Sequence, residues 1–317
     1  MKRITIVLIV LCMVATATAT QMIIHKTDGP NVTVNINHIE SITFSSAELS
    51  FEWRIIPAGD YTYGESNDIL NIDYDYEIMK YEVTNAQYLA YLQEAYAAGD
   101  IWVSGDEVQG YYPGDEHWGA GNYLLYGLGA PFTYNYAQIS FSNGEFVLNA
   151  PSGFTVDDYL NHPVGLVSWF GAWHFADYYG LRLPTEHEWE KAARGMTGYN
   201  YPWGNMIDGS QANYMDSGDP YDNGTTPAGF YNGETHIVNG VSFDTTDSPS
   251  PYGVYDMVGN VWNWTDSWYG GSWHTTRVVR GGSWYNHTNY LPSWIRDLEN
   301  PSIVRLYFGF RCVRTQF

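Results

Sequence analysis

Apolar residues fall at helical spacing in three stretches of the chain. The first opens on Thr84-Asn-Ala-Gln87, a capping box in which a threonine accepts from the helix start and a glutamine reaches back. Leu89 and Leu92 then face inward, and the helix is expected to run to about Ala97. In the second, Ala172, Phe175, Ala176 and Tyr179 share a face, with Gly180 as the stop. The third opens on a second capping box, Thr185-Glu-His-Glu188, places Trp189, Ala192 and Ala193 inward, and ends at Gly195. Elsewhere the pattern is that of short strands. Residues 51–64 read as strand, turn at Pro57–Asp60, and strand; 76–83 reads as another strand. Asp28-Gly29 and Asn143-Gly144 each divide two runs of strand-like residues, the signal of a hairpin. The rest of 99–162 is rich in Gly and Tyr with weak periodicity and is expected to be long ordered loop. Beyond Gly195 come short strands with glycines and tryptophans at their ends. Few helices with a modest antiparallel sheet make an α+β domain, and no repeat of 20–50 residues is present.

The chain begins with Lys2 and Arg3, an apolar run Ile4–Val14, and the small-residue stretch ATATAT at 15–20. That is the pattern of a secretory signal peptide, with a run too short to span a bilayer comfortably. The expected layout is a signal peptide at 1–20, a β-hairpin appendage at 21–50, and the main domain at 51–317. An exported protein meets an oxidising compartment. Yet only Cys12 and Cys312 exist, and Cys12 leaves with the signal, so Cys312 has no partner for an intramolecular disulfide. The net charge of −21 excludes the clustered cations that nucleic acid or anionic lipid would draw on.

Seven segments occur in one order: YEVTNAQYLAYL, HPVGLVSW, LRLPTEHEWEKAARG, YPWGN, YDMVGNVWNW, RGGSW and FGFRC. In this the chain resembles the formylglycine-generating enzyme, or sulfatase-modifying factor, family over roughly Phe51 to Arg314. The resemblance implies a variant of the C-type lectin fold with little regular secondary structure. Enzymes of the family oxidise a sulfatase cysteine to formylglycine with copper held by two cysteines. Aligned from Arg280, those cysteines fall on Asn286 and Leu291, neither of which supplies the soft thiolate that Cu(I) needs. A functional Asn of the family falls on Tyr307, while Ser283, His287 and Trp264 match retained pocket residues. The resemblance therefore implies no formylglycine-generating activity and no copper. The family's cysteine partner for Cys312 falls on Ala176, so Cys312 reads as a small buried hydrophobe. Iron-dependent branches use histidines of an extra helical domain that this chain has no room for, and His174 and His187 read as structural.

Calcium is the expected cofactor. A first loop, 212–224, would supply Asn213, the Tyr214 carbonyl, Asp219 and the Tyr221 carbonyl; a weaker second site would use Gly259, Val261 and Asn263, where an acid of the family is lost. Glu186, Glu188 and Glu190 read as structural acids at a helix start, and Ser283 with His287 lacks an orienting acid for hydrolysis. The remaining expectation is a binding surface of Tyr285, Asn286, His287, Asn289, Tyr290, Trp294, Leu306 and Tyr307, taking a protein or glycan. Two alternatives stand beside a non-catalytic binding module. One is an enzyme with copper-free chemistry in the same pocket. The other is an envelope-assembly part whose 22–44 hairpin docks a partner.

Overall fold

The chain divides into two units, residues 1–50 and 51–317. The computed structural model describes residues 21–24, 32–35, 50–128, 138–221, 223–270 and 275–315; the expected signal peptide and the Asp28-Gly29 turn lie outside these. In the first unit β1 (Gln21–Ile24) and β2 (Val32–Asn35) pair antiparallel, Gln21 opposite Asn35.

The second unit contains, in order, β3 (Trp53–Ile56), β4 (Gly59–Tyr63), β5 (Asp68–Ile72), β6 (Tyr76–Met79), α1 (Asn85–Ala98), β7 (Ile101–Ser104), β8 (Glu107–Tyr112), β9 (Gly121–Gly127), β10 (Gln138–Ser142), β11 (Glu145–Asn149), α2 (Val156–Tyr159), α3 (Trp169–Tyr178), α4 (Glu186–Arg194), β12 (Thr235–Val238), β13 (Val241–Asp244), β14 (Trp262–Trp268), β15 (Arg277–Arg280), β16 (Arg296–Glu299), β17 (Phe308–Gly309) and β18 (Val313–Arg314). A sheet ordered β16-β15-β14-β17 carries the site described below; β14 and β17 run parallel and its other pairs antiparallel. Two three-stranded sheets, β18-β6-β3 and β7-β8-β9, and the hairpins β4-β5, β10-β11 and β12-β13 complete it. No helix among the described residues is long and apolar enough to cross a membrane.

Both expected capping boxes form. Thr84 accepts from the Gln87 N–H at 3.3 Å while Gln87 accepts from the Thr84 N–H at 3.0 Å, and Gly99 closes α1 in the left-handed region. The buried stripe of α1 is Tyr88, Tyr91, Leu92 and Ala95, with Leu89 only half-buried. In α4 Thr185 and Glu188 make the second box, over fully buried Trp189, Ala192 and Ala193. Helix α3 lies so close to β9 that a Cβ on Gly171 would stand 2.1 Å from the Leu125 carbonyl oxygen, so only glycine fits there.

The expectation of a long loop over 99–162 is corrected. Residues 101–127 form β7-β8-β9. The expected hairpin at Asn143-Gly144 is present as β10-β11, both turn residues having positive φ as a tight hairpin requires.

Candidate functional site

The RGGSW segment leaves β15 at Arg280, which is fully buried. Its guanidinium donates to Glu190 at 2.7 Å and to Glu186 at 3.3 Å on α4, and to the carbonyls of Ser293 and Ile295 at 3.2 Å each. One arginine thus ties the start of the loop, its end, and the helix beneath it. The acids of α4 are all engaged this way: Glu190 also takes Arg194 at 2.6 Å, Glu186 takes Arg296 at 2.9 Å, and Glu188 takes Arg182 at 2.6 Å. Burial alone would raise Glu188; Arg182 and the Thr185 N–H and hydroxyl outweigh it and hold the carboxyl below its usual range. These carboxylates are structural.

Gly281 and Gly282 follow with φ of 97° and 75°. A Cβ on Gly282 would lie 2.5 Å from Leu291 Cδ2, so the loop closes onto Leu291 itself. Leu291 is fully buried in a small cluster with Tyr201, Ala212 and Val258. At the other expected thiolate position, Asn286 Oδ1 accepts from Ser283 Oγ at 2.6 Å, and the Asn286 carbonyl accepts from the Met215 N–H at 3.0 Å. The donor set at these positions is thus one amide oxygen already bonded and one hydrocarbon side chain. It does not fit copper.

The retained pocket residues do not converge. Ser283 is buried and bonded to Asn286 rather than to His287, which is exposed and precedes the 3₁₀ turn Thr288–Tyr290; no Ser–His pair forms. Trp264 is a core residue, its Nε1 donating to the Val167 carbonyl at 3.0 Å. Of the expected surface, Tyr285 and Tyr307 come together as parallel rings, 5.1 Å between centroids and 6° apart, with Tyr285 41% exposed. Trp284 is buried and meets Tyr307 edge-on. Asn289 and Tyr290 are exposed and Leu306 is half-buried. Trp294 serves a different place: its Nε1 donates to Asn200, and its ring lines a cleft of about 290 Å³ with Tyr63, Glu65 and Arg296.

In the first expected calcium loop, the Asn213 amide donates to the Gly224 carbonyl at 2.9 Å. Asp219 accepts from Ser217 Oγ at 2.7 Å and the Tyr221 N–H at 2.9 Å, and the Tyr214 carbonyl accepts from the Ser217 N–H. Asn213, Tyr214 and Asp219 all belong to the one loop, and oxygen ligands of this kind are those a calcium ion takes. At the second position, Asn263 Oδ1 accepts from Arg311 Nε at 2.7 Å and Trp189 Nε1 at 3.1 Å, and its amide donates to Glu82 and the Val261 carbonyl. A guanidinium already supplies the positive charge there, so those residues do not fit calcium. The Gly259 backbone packs on Asn213, where a Cβ would lie 2.1 Å from the carbonyl oxygen.

Cys312 is fully buried, which pushes its thiol well up. His174 and His187 each bond a tyrosine hydroxyl, Tyr91 at 2.8 Å and Tyr61 at 2.7 Å. No cluster of three or more metal-ligating His, Cys, Asp or Glu exists among the described residues. What the sequence reading missed is Arg280 as the anchor of the loop. Its signal is an arginine at each end of the four-residue strand RVVR, buried throughout.

A family model described as "Sulfatase-modifying factor enzyme 1-like domain" matches residues 47–316. The serine/threonine-protein kinase pkn1 of Chlamydia caviae is 42% identical over 113 residues, 35% of this chain and 15% of the kinase. The inactive C-alpha-formylglycine-generating enzyme 2 of Bos taurus is 40% identical over 126 residues, 38% of each chain. The match thus spans less than two thirds of these relatives. Among solved structures, CarF superposes with a TM-score of 0.54 at 21% identity, over 84% of this chain and 99% of its own.

Proposed function

From a chain that belongs to the sulfatase-modifying factor family, with thiolate positions occupied by Asn286 and Leu291, we propose a non-catalytic binding module. Its fold is the α+β, formylglycine-generating-enzyme type with little regular secondary structure. The observation that carries the proposal is Leu291. A fully buried leucine fills the place where the family resemblance puts the second copper thiolate, while the anchors of the loop remain. A loop held at both ends, with a stacked tyrosine pair and exposed polar tips, suits contact with a protein or glycan. Tyrosine gives large contact area at low entropic cost and Asn adds adaptable hydrogen bonds. The name "inactive" of the bovine relative is in keeping with this reading.

The test has two arms. Purified protein supplied with copper and a sulfatase-type cysteine peptide gives no aldehyde; turnover overturns the proposal. A glycan array and a defined panel of envelope proteins yield a ligand for the wild type that the combined Tyr285→Ala, Tyr290→Ala, Tyr307→Ala variant loses. A ligand retained at equal affinity removes the face from consideration. Two further parts belong to the same reading. Export is supported by the basic start, apolar run and small-residue stretch of residues 2–20, and is tested by fractionation. Calcium in the 212–224 loop is supported by the Asn, Asp and carbonyl oxygens its sequence offers; an unchanged melting temperature on adding Ca²⁺ to chelator-treated protein removes it.

A further inference from the structure

The cleft of about 290 Å³ beside Trp294 is lined by Tyr63, Gly64, Glu65, Trp294, Ile295 and Arg296. Neither ring of the stacked Tyr285–Tyr307 pair lines it, so the inference stands apart from the proposal above. Both walls are fixed before any ligand arrives. On one side Arg280 donates to the two carbonyls that flank Trp294, those of Ser293 and Ile295, at 3.2 Å each. The Ser293 N–H donates to the Asn200 carbonyl at 2.7 Å, and the Trp294 indole N–H donates to Asn200 Oδ1 at 3.1 Å. On the other side the Gly64 N–H donates to Glu190 at 2.8 Å, and the Gly64 carbonyl accepts from Arg194 at 3.0 Å. Glu190 also pairs with Arg280 at 2.7 Å, so one buried ion pair holds the two walls together. A site fixed in this way costs a ligand little ordering.

Folding does not account for the Trp294 ring. It is half-buried, belongs to none of the hydrophobic clusters, and makes no ring contact among the described residues. A large apolar plate is thus presented at the cleft. The polar groups beside it are of both kinds. Arg296 supplies donors: its Nη2 lies 2.9 Å from Glu186, and its Nη1 makes no hydrogen bond among the described residues. Glu65 is exposed and has no hydrogen bond or ion pair among them, so its carboxylate offers acceptors. An anion would meet Glu65 and a cation would meet Arg296, so neither charge is favoured. A neutral molecule with a C–H face for the indole and hydroxyls at its edge satisfies all three groups. That is the chemistry of a pyranose ring, whose hydroxyls accept from Arg296 and donate to Glu65. The volume stands at the small end of the range for small-molecule sites, which suits one sugar residue rather than a long oligomer.

We propose that this cleft binds a neutral pyranose residue stacked on Trp294, with Arg296 as donor and Glu65 as acceptor to its hydroxyls. Saturation-transfer NMR titrations of the full chain would use methyl β-D-glucopyranoside, methyl β-D-galactopyranoside, cellobiose and lactose. At least one is expected to saturate with a Kd below about 10 mM, while sodium glucuronate and glucosamine, the charged controls, bind more weakly. Tighter binding of a disaccharide than of its methyl glycoside identifies a glycan source, and equal affinity a free sugar. Trp294→Ala should weaken binding at least about tenfold, Trp294→Phe by about threefold or less because the plate is kept, and Glu65→Gln about two- to threefold. Melting curves check that the fold is kept, and the exposed Glu65→Gln carries the test if Trp294→Ala fails to fold. The combined Tyr285→Ala, Tyr290→Ala, Tyr307→Ala variant should keep this affinity, which separates failure of this proposal from failure of the one above. No saturable sugar binding, equal or tighter binding of a charged control, affinity unchanged in every folded variant of Trp294 and Glu65, or loss confined to the triple tyrosine variant would each overturn the proposal. A decaproline peptide that binds where every sugar fails would overturn it in favour of a protein ligand.

Discussion

Replacing Leu291 by alanine tests whether this position is core or pocket wall. The side chain is 0% exposed, sits among Tyr201, Ala212 and Val258, and touches the space beside Gly282 where no Cβ can go. Leu→Ala removes three carbons, about 2.4 kcal/mol of transfer free energy at about 0.8 kcal/mol each. A cavity that does not collapse adds to this, and measured Leu→Ala costs in cores reach about 2–5 kcal/mol. Gly282 cannot fill the gap and Arg280 fixes both ends of the loop, so about 3–4 kcal/mol is expected here. For a domain of this size each kcal/mol moves Tm by roughly 2 °C, giving a fall of roughly 6–8 °C by calorimetry. A residue on the wall of an open, solvated pocket would cost under about 1 kcal/mol and move Tm by roughly 2 °C or less. A shift that small refutes the reading that the second thiolate position has become hydrophobic core.

Other outcomes follow from the same structure. Asp256 is buried and its carboxyl is raised to about 6, with burial outweighing the Gly229 N–H and Arg311. The folded state therefore holds this proton more tightly than the unfolded one, and the group's contribution is present below about pH 4 and lost as pH rises through about 6. Melting temperature should fall between pH 5 and pH 7 less steeply in Asp256→Asn than in the wild type; parallel curves would refute this. Arg280→Met should destabilise by about 2–3 kcal/mol, because Glu186 and Glu190 keep Arg296 and Arg194 but each loses a buried guanidinium partner and the Ser293 and Ile295 carbonyls lose their donor, with denaturant unfolding as the readout. Cys312 should resist alkylation in the folded protein and react once denaturant is added; rapid labelling of the native state would contradict its burial.

How much of this could be read from the chain depends on where the information resides. The helices α1 and α4 were legible because capping is local: four consecutive residues specify the start of each. The sheet β7-β8-β9 was not, although Val108, Gly110 and Tyr112 alternate inward along β8. Gly110 breaks the apolar pattern because a Cβ there would lie 2.7 Å from Leu125 Cδ1, a constraint that only the folded neighbour reveals. The two-residue turn at Gly105-Asp106, between the paired Ser104 and Glu107, was the available clue. At the site, the motifs located the loop and its missing thiolates. Assigning Trp264 to the pocket failed because that indole is claimed by the Val167 carbonyl, 97 residues away in sequence. At the second calcium position, expected to be the weaker, the partner of Asn263 was likewise hidden: Arg311 reaches it from 48 residues further along the chain.

The anchoring of the RGGSW loop has a consequence for how this surface can change. Arg280 grips β15, α4 and the carbonyls of Ser293 and Ile295, while the side chains of Tyr285 and 287–290 lie exposed. The free energy that closes the loop is thus supplied by residues outside the exposed stretch, and closure entropy grows only slowly with length. Side chains at 285 and 287–290 can therefore be exchanged, and residues added among them, at little cost to the framework. The stretch is in this sense separable from its framework: its side chains can vary without risking the fold that presents them.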